Sequence, residues 1–285
     1  MRNFPIIVLG WLTPDIIKRC LASVNGLSGV NPQIYFAENH SVNSQDIEEL
    51  IAKTPNIKGH IRMKENHGAS VWKIILDHFF QNIDEEFVTI TDGDYIFDVE
   101  AMEKQYELFD KYDDIGIISQ RRSLLGMDKR MKWMVLGGYA SSNREDERNY
   151  KISQSRRSTF NGMSLTTARK KDWQAFIDCV NNRHISFETW SICQPGGQPE
   201  YRPPVFWDTD LYPFFETVLN KRSFVIEETP SYHITDEYEN DTESEYYKEK
   251  HRYGYRASWE AYLNDLEYYH SKSYPDGTLK YEIII

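Results

Sequence analysis

Apolar runs without polar interruption alternate along this chain with stretches of helical period. Residues 4–10, FPIIVLG, show the pattern of a strand covered on both faces, as in a parallel sheet. Behind this run Thr13 is placed to cap a helix, Pro14 suits its first turn, and Ile17, Cys20, Leu21 and Val24 recur at i, i+3, i+4 and i+7. The unit repeats. QIYFAE (33–38) precedes QDIEELIAKT, with Ile47, Leu50 and Ile51 on one face. HIRMK precedes NHGASVWKIILDHFF, whose stripe is Val71, Ile74, Ile75, His78 and Phe79. EFVTIT (86–91) precedes VEAMEKQYELFDKY, and IGIIS (115–119) supplies a fifth strand. Alternation at these lengths predicts βαβ units, hence an α/β fold with a mostly parallel central sheet flanked by helices.

Periodicity fades over 120–165, which includes the charged stretch SSNREDERNYKISQSRRSTF and is expected to form loops. A helix returns in RKKDWQAFIDCVNN through Trp173, Phe176, Ile177 and Val180, and QPGGQPEYRPP (194–204) then forbids regular structure. Beyond it come WDTDLYPFFETVL, a strand at 223–228 and His233, and the Tyr-rich tail SEYYKEKHRYGYRASWEAYLNDLEYY reads as a long helix. The expected organisation is a ligand-binding half over 1–119, a second half of the same domain over 120–235, and a C-terminal helical extension over 236–285.

Where the fourth strand runs out, FVTITDGDYIFD places Asp92, Asp94 and Asp98 within seven positions. Clustered carboxylates repel, and a hard cation with oxygen ligands is the usual reason to tolerate them; a solvated acidic turn is the competing reading. In open sheets of this class ligands bind beyond the carboxyl ends of the strands, which is where Asp92 and Asp94 stand. The net charge of −11 and pI near 5.3, without a long Lys/Arg run, exclude nucleic acid as a partner. A divalent ion, Mg²⁺ or Mn²⁺, lets such an acidic protein bind a phosphorylated ligand by bridging carboxylates to phosphate oxygens. Cys20, Cys179 and Cys193 lack the spacing of a zinc or redox motif and are expected to be reduced, packed thiols. The apolar run near the N-terminus is too short for a signal h-region or a membrane span, so the expectation is a cytoplasmic protein.

These motifs, in this order, resemble those of GT-A fold glycosyltransferases, and most closely family 2 of inverting enzymes, over about residues 4–235. The resemblance implies a GT-A, Rossmann-like fold. It sets PIIVLGWLTPD with Thr13 as the first strand and its turn, and Glu38 with Asn39 at the end of the second strand, against the nucleotide base. NHGASVWK matches the family's Asn-x-Gly helix opening, which brings Asn66, Gly68 and Lys73 into the donor site. The Asp-x-Asp motif becomes Asp92-Gly93-Asp94, with Asp92 near ribose and metal, Gly93 allowing close backbone approach, and Asp94 on the metal that bridges the diphosphate. The family's Glu-Asp-x-Asp-Leu corresponds to WDTDL, making Asp208 the general base, and the following His corresponds to His233, a metal or diphosphate ligand. Trp207 departs from the family's Glu at its position.

The implied activity is transfer of a sugar from a UDP- or GDP-sugar to a saccharide or other acceptor hydroxyl, with inversion and a Mn²⁺ or Mg²⁺ cofactor. Tyr139, Arg156, Arg157, Tyr201 and Trp207 fall in the stretches expected to form the acceptor site. The resemblance leaves peripheral association with the inner face of a membrane open, since many such enzymes use lipid-linked acceptors, although no basic amphipathic stretch is evident here. The competing functions are a retaining transferase on the same fold, a nucleotidyltransferase, whose usual Gly-rich basic loop is missing from VLGWLTPDIIKRC, and a non-catalytic sugar- or partner-binding module.

Overall fold

The structure, a computed structural model, describes residues 1–67, 71–123, 139–141, 152–155, 164–182, 211, 214–234, 242–244, 246–249 and 271–285. Five helices are used below: α1 (Pro14–Asn25), α2 (Ser44–Lys53), α3 (Val71–Phe79), α4 (Ala101–Lys111) and α5 (Lys170–Asn182). The first strands are β1 (Arg2–Gly10), β2 (Val30–Glu38), β3 (Ile57–Met63), β4 (Phe87–Asp92), β5 (Tyr95–Ile96) and β6 (Ile115–Arg122). They are followed by β7 (Tyr139–Ser141), β8 (Ile152–Ser155), β9 (Thr166–Arg169), β10 (Arg222–His233) and β11 (Tyr281–Ile283). Among the described residues these form one sheet in the order β11-β3-β2-β1-β4-β9-β6-β10-β8-β7, with β5 pairing β10 off that path.

The uninterrupted apolar run of β1 is explained by cover on both faces. Ile6 and Val8 point into a layer with Ile17, Cys20, Leu21 and Val24 of α1, Ile47 and Ile51 of α2, and Met102 and Phe109 of α4. Ile7, between them, points into the opposite layer with Ile74, Ile75 and Phe79 of α3 and Trp173 and Phe176 of α5. A residue of either parity is therefore buried, and a polar one at these positions would lose water without gaining a partner.

The sheet is mixed. β3-β2-β1-β4 and β6-β10 are parallel, while β9 inserts antiparallel between β4 and β6. The expectation of loops over 120–165 is corrected where residues are described: β6 continues to Arg122, and β7 and β8 pair antiparallel, with β8 joined to β10. The strand expected at 223–228 runs instead from 222 to 233. In the C-terminal extension Tyr246–Glu249 are helical, 251–270 lie outside the described residues, and the end of the chain is not helical: β11 adds antiparallel to the edge of β3. Cys20 and Cys179 are free thiols, and Cys193 lies outside the described residues. No helix among the described residues is long and apolar enough to cross a membrane.

One core residue makes stability depend on pH. His60 is 1% exposed on β3, its ring lies 5.3 Å from that of Phe36, and neither ring nitrogen has a hydrogen-bond partner among the described residues. Burial first, then the charge of Arg62, pull its pKa down to about 4. Because the folded value lies below the unfolded value, the fold favours the neutral ring. The stabilisation is complete above the unfolded value near 6.5 and is lost as pH falls through that range toward 4. Urea midpoints should therefore drop between pH 8 and pH 5, with His60 accounting for roughly 2 kcal/mol of the loss. His60→Leu should flatten that part of the dependence, and an unchanged slope would exclude His60 as its source.

Candidate active site

The chain leaves β1 for β2 and β3 on one side and returns to β4 on the other, so the strand order reverses between β1 and β4. A crevice forms at such a reversal, outside the carboxyl ends of the strands. In this chain that place is flanked by the loop after Gly10 and by Asp92-Gly93-Asp94. Three bonds bind the strand ends together: Gly93 N donates to Leu9 O (2.7 Å), Asn39 N to Gly10 O (3.0 Å), and Leu12 N to Ser41 Oγ (2.8 Å). The last supports Leu12 at φ 59°, a left-handed conformation that is costly for a residue with a side chain. Gly93 has no alternative, since a Cβ there would stand 2.8 Å from the Leu9 carbonyl oxygen.

On the β2 side Glu38 is fully buried. One carboxylate oxygen accepts from Ser41 N (3.0 Å) and from the Ser44 hydroxyl, bracing the turn into α2. Its other oxygen, Oε2, is buried with no hydrogen-bond partner among the described residues. A carboxylate oxygen in that state is costly unless a donor arrives. Next to it Asn39, 7% exposed, joins β2 to the end of β3: Oδ1 accepts from His67 N (3.0 Å) and Nδ2 donates to Asn66 Oδ1 (3.2 Å).

On the β4 side the acidic triplet opens into the short strand β5, which the end of β10 clamps. Tyr232 pairs with Ile96 and His233 with Tyr95, and Ile234 N donates to Asp94 O (2.8 Å). This register sets His233 Nε2 3.0 Å from Asp94 Oδ2. The other ring nitrogen, Nδ1, meets Arg122 Nη2 at 2.6 Å, and the Tyr95 ring flanks the imidazole with centroids 4.7 Å apart. Beneath the hairpin the buried Cys20 thiol faces Asp92 O at 3.9 Å; burial first, then the charge of Asp94, raise its pKa and keep it protonated. The third acid of the run has a local task. Asp98 Oδ1 accepts from Glu100 N (3.0 Å), turning the chain into α4.

The sequence profile of glycosyl transferase family 2 matches residues 6–180, more than half of the chain. The chain belongs to glycosyl transferase family 2. Its mixed sheet with flanking helices is the α/β fold expected of that family. No curated protein sequence matches the chain. Among solved structures, S. aureus TarS 1-349 aligns at 12% identity and TM-score 0.48 over 84% of this chain. The chain covers 63% of that TarS fragment's length. The same fragment in complex with UDP aligns at 13% identity and TM-score 0.49, over 90% of this chain and 73% of that one. Its complex with UDP-GlcNAc aligns at 12% identity and TM-score 0.45, over 81% and 61%.

In this family 2 chain the expected residues separate into three sets. Asp94 and His233 meet side chain to side chain, while Gly93 is bonded to Leu9 at the end of β1 and Asn39, next to Glu38, to Gly10 of the same strand. The helix cap expected of Thr13 is corrected, and Lys73 has a local partner. Thr13 stands at the N-terminus of α1, but its side chain makes no capping bond; its carbonyl accepts from Ile16 N and Ile17 N instead. Lys73 is 6% exposed and paired with Asp77 one turn along α3. Gly68, Arg156, Arg157, Tyr201, Trp207 and Asp208 lie outside the described residues, as does the side chain of Tyr139. Arg122 was not anticipated, because a strand ended at Ser119 leaves it in a loop. Its signal is position: the strand continues, and Arg122 ends it at the same sheet edge as Asp92.

Among the described residues no group of three or more His, Cys, Asp and Glu is placed to hold a metal ion. The donors present nevertheless suit an ion shared with a ligand. Mg²⁺-type cations take one or two protein carboxylates and complete their shell with water and phosphate oxygens, and the Asp94 side chain is 24% exposed at the end of β4.

Proposed function

We propose that this glycosyltransferase moves a sugar from a nucleotide-diphosphate donor, a UDP- or GDP-sugar, to an acceptor hydroxyl, with inversion at the anomeric carbon. The observation that carries this reading is the convergence, at the β1/β4 reversal, of Asp92-Gly93-Asp94 on one side with the buried Glu38 and Asn39 on the other. Glu38 Oε2 suits the N–H of a base, and Gly93 lets the ligand approach the backbone. Asp94, with Asp92, is the candidate holder of Mn²⁺ or Mg²⁺. The ion supplies positive charge where the leaving diphosphate becomes more negative. Asp208 takes the proton of the acceptor hydroxyl as its oxygen bonds to the anomeric carbon, and the bond to the diphosphate breaks with its electron pair on the leaving oxygen.

The test is a panel of UDP- and GDP-sugars with and without Mn²⁺, scored by nucleotide release, followed by NMR of the anomeric centre of the product. Metal-dependent release from at least one donor and an inverted centre are expected. Retained configuration would remove Asp208 from the role of base. Absence of both turnover and calorimetric binding for every donor would favour a non-catalytic module.

A further inference from the structure

We infer that Arg122 fixes His233 as a hydrogen-bond donor to Asp94, so that the imidazole positions the carboxylate and is not itself a metal ligand. The inference rests on the proposed reading of Asp94 as a metal-binding carboxylate and assigns the residues behind it. The distance from His233 Nε2 to Asp94 Oδ2 does not decide between the two roles. At 3.0 Å it fits a hydrogen bond, and it equally fits two adjacent ligands of an octahedral ion with bonds of about 2.1 Å.

The decision comes from the other side of the ring. Arg122 Nη2 stands 2.6 Å from His233 Nδ1 in a buried contact, with Arg122 8% exposed. A guanidinium has N–H donors only and no lone pair to offer, and it stays charged. Nδ1 must therefore present its lone pair to Arg122. A neutral imidazole carries one proton, which then sits on Nε2 and points at Asp94 Oδ2. Metal ligation through Nε2 needs the lone pair there and moves the proton to Nδ1, where two donors would face each other at 2.6 Å.

The surroundings reinforce this orientation. The β5–β10 pairing fixes both backbones, Ile234 N holds the Asp94 carbonyl, and the Tyr95 ring limits rotation of the imidazole. The arrangement is a relay of Arg122, His233 and Asp94 running from the end of β6 across the end of β10 to the acidic hairpin. Its effect is to aim one carboxylate oxygen. Arg122 is a positioning residue that acts through His233.

The test is ¹⁵N NMR of histidine-labelled protein, with the His233 signals assigned by their loss in His233→Gln. In metal-free protein the expected state is a protonated Nε2 with an unprotonated Nδ1, unchanged on adding Mg²⁺ and UDP. Arg122→Lys, which keeps a donor, should preserve it, whereas Arg122→Met should give a mixture of the two tautomers. In parallel, Mn²⁺ bound with UDP should show no histidine ¹⁴N coupling in pulsed EPR. His233→Gln, which keeps an amide donor toward Asp94, should weaken Mn²⁺ binding less than His233→Ala, for which a roughly 10- to 100-fold loss is expected. A proton on Nδ1 in the metal-free protein, or a ¹⁴N coupling that disappears in His233→Gln, would overturn the inference. Failure of any divalent ion to bind would instead remove the metal reading of Asp94, while the metal-free tautomer still decides the role of Arg122.

Discussion

Asp94→Asn should lower kcat/KM by about 10³-fold, on the order of 4 kcal/mol of transition-state stabilisation, with the fold intact. The fold is spared because the interactions that seat residue 94 do not need its charge. Its carbonyl still accepts from Ile234 N, and an amide oxygen still accepts from His233 Nε2. What disappears is the anionic oxygen that the proposed divalent ion would need. Two measurements separate this from a packing defect. Mn²⁺ binding followed by EPR should be lost in the variant, and chelation should abolish wild-type turnover while changing the residual activity of Asp94→Asn little. Thermal unfolding should stay within a few degrees of wild type. Turnover at the wild-type level would detach Asp94 from the reaction.

How far this site can be read from sequence depends on what kind of force places each residue. β1, β2 and β4 are legible because burial on both faces demands apolar residues at every position, and that demand is written in consecutive letters. Asp92-Gly93-Asp94 is legible because it follows such a strand directly. β9 is not legible. Its sequence is TTAR, yet it lies buried in the middle of the sheet, where two of its polar side chains find distant partners: Thr167 Oγ1 meets Thr89 Oγ1 at 2.7 Å, and Arg169 Nη1 donates to Ile115 O at 2.9 Å. No local pattern announces a partner 78 residues away. Arg122 was missed for the same reason: a buried arginine at a strand end makes sense only once β10 delivers His233 to it. Asp98 shows the opposite error. It looks like part of the acidic cluster, but its carboxylate serves a turn two residues on, a local task that charge counting does not separate from ligand binding.

Asp208→Asn should cut kcat by 10²- to 10⁴-fold, the range typical for loss of a positioned general base, while leaving donor affinity within about twofold of wild type. The asymmetry follows from the division of labour proposed for the two acidic motifs. In that proposal donor recognition falls to the ends of β1, β2 and β4, through Glu38, Asn39 and Asp94, and Asp208 contributes only when an acceptor oxygen must lose its proton. The chain that follows Asp208 is anchored firmly. Leu211, Phe214 and Phe215 are all buried, with Phe214 packed edge-on to Phe176 (4.9 Å) and Phe215 to Trp173 (5.7 Å), so a change from carboxylate to amide at 208 should leave this anchor undisturbed. Calorimetry with the donor's nucleoside diphosphate and Mn²⁺ measures the first half of the prediction and single-turnover transfer the second. Loss of both together would make Asp208 part of the donor site, and transfer at the wild-type rate would require another base.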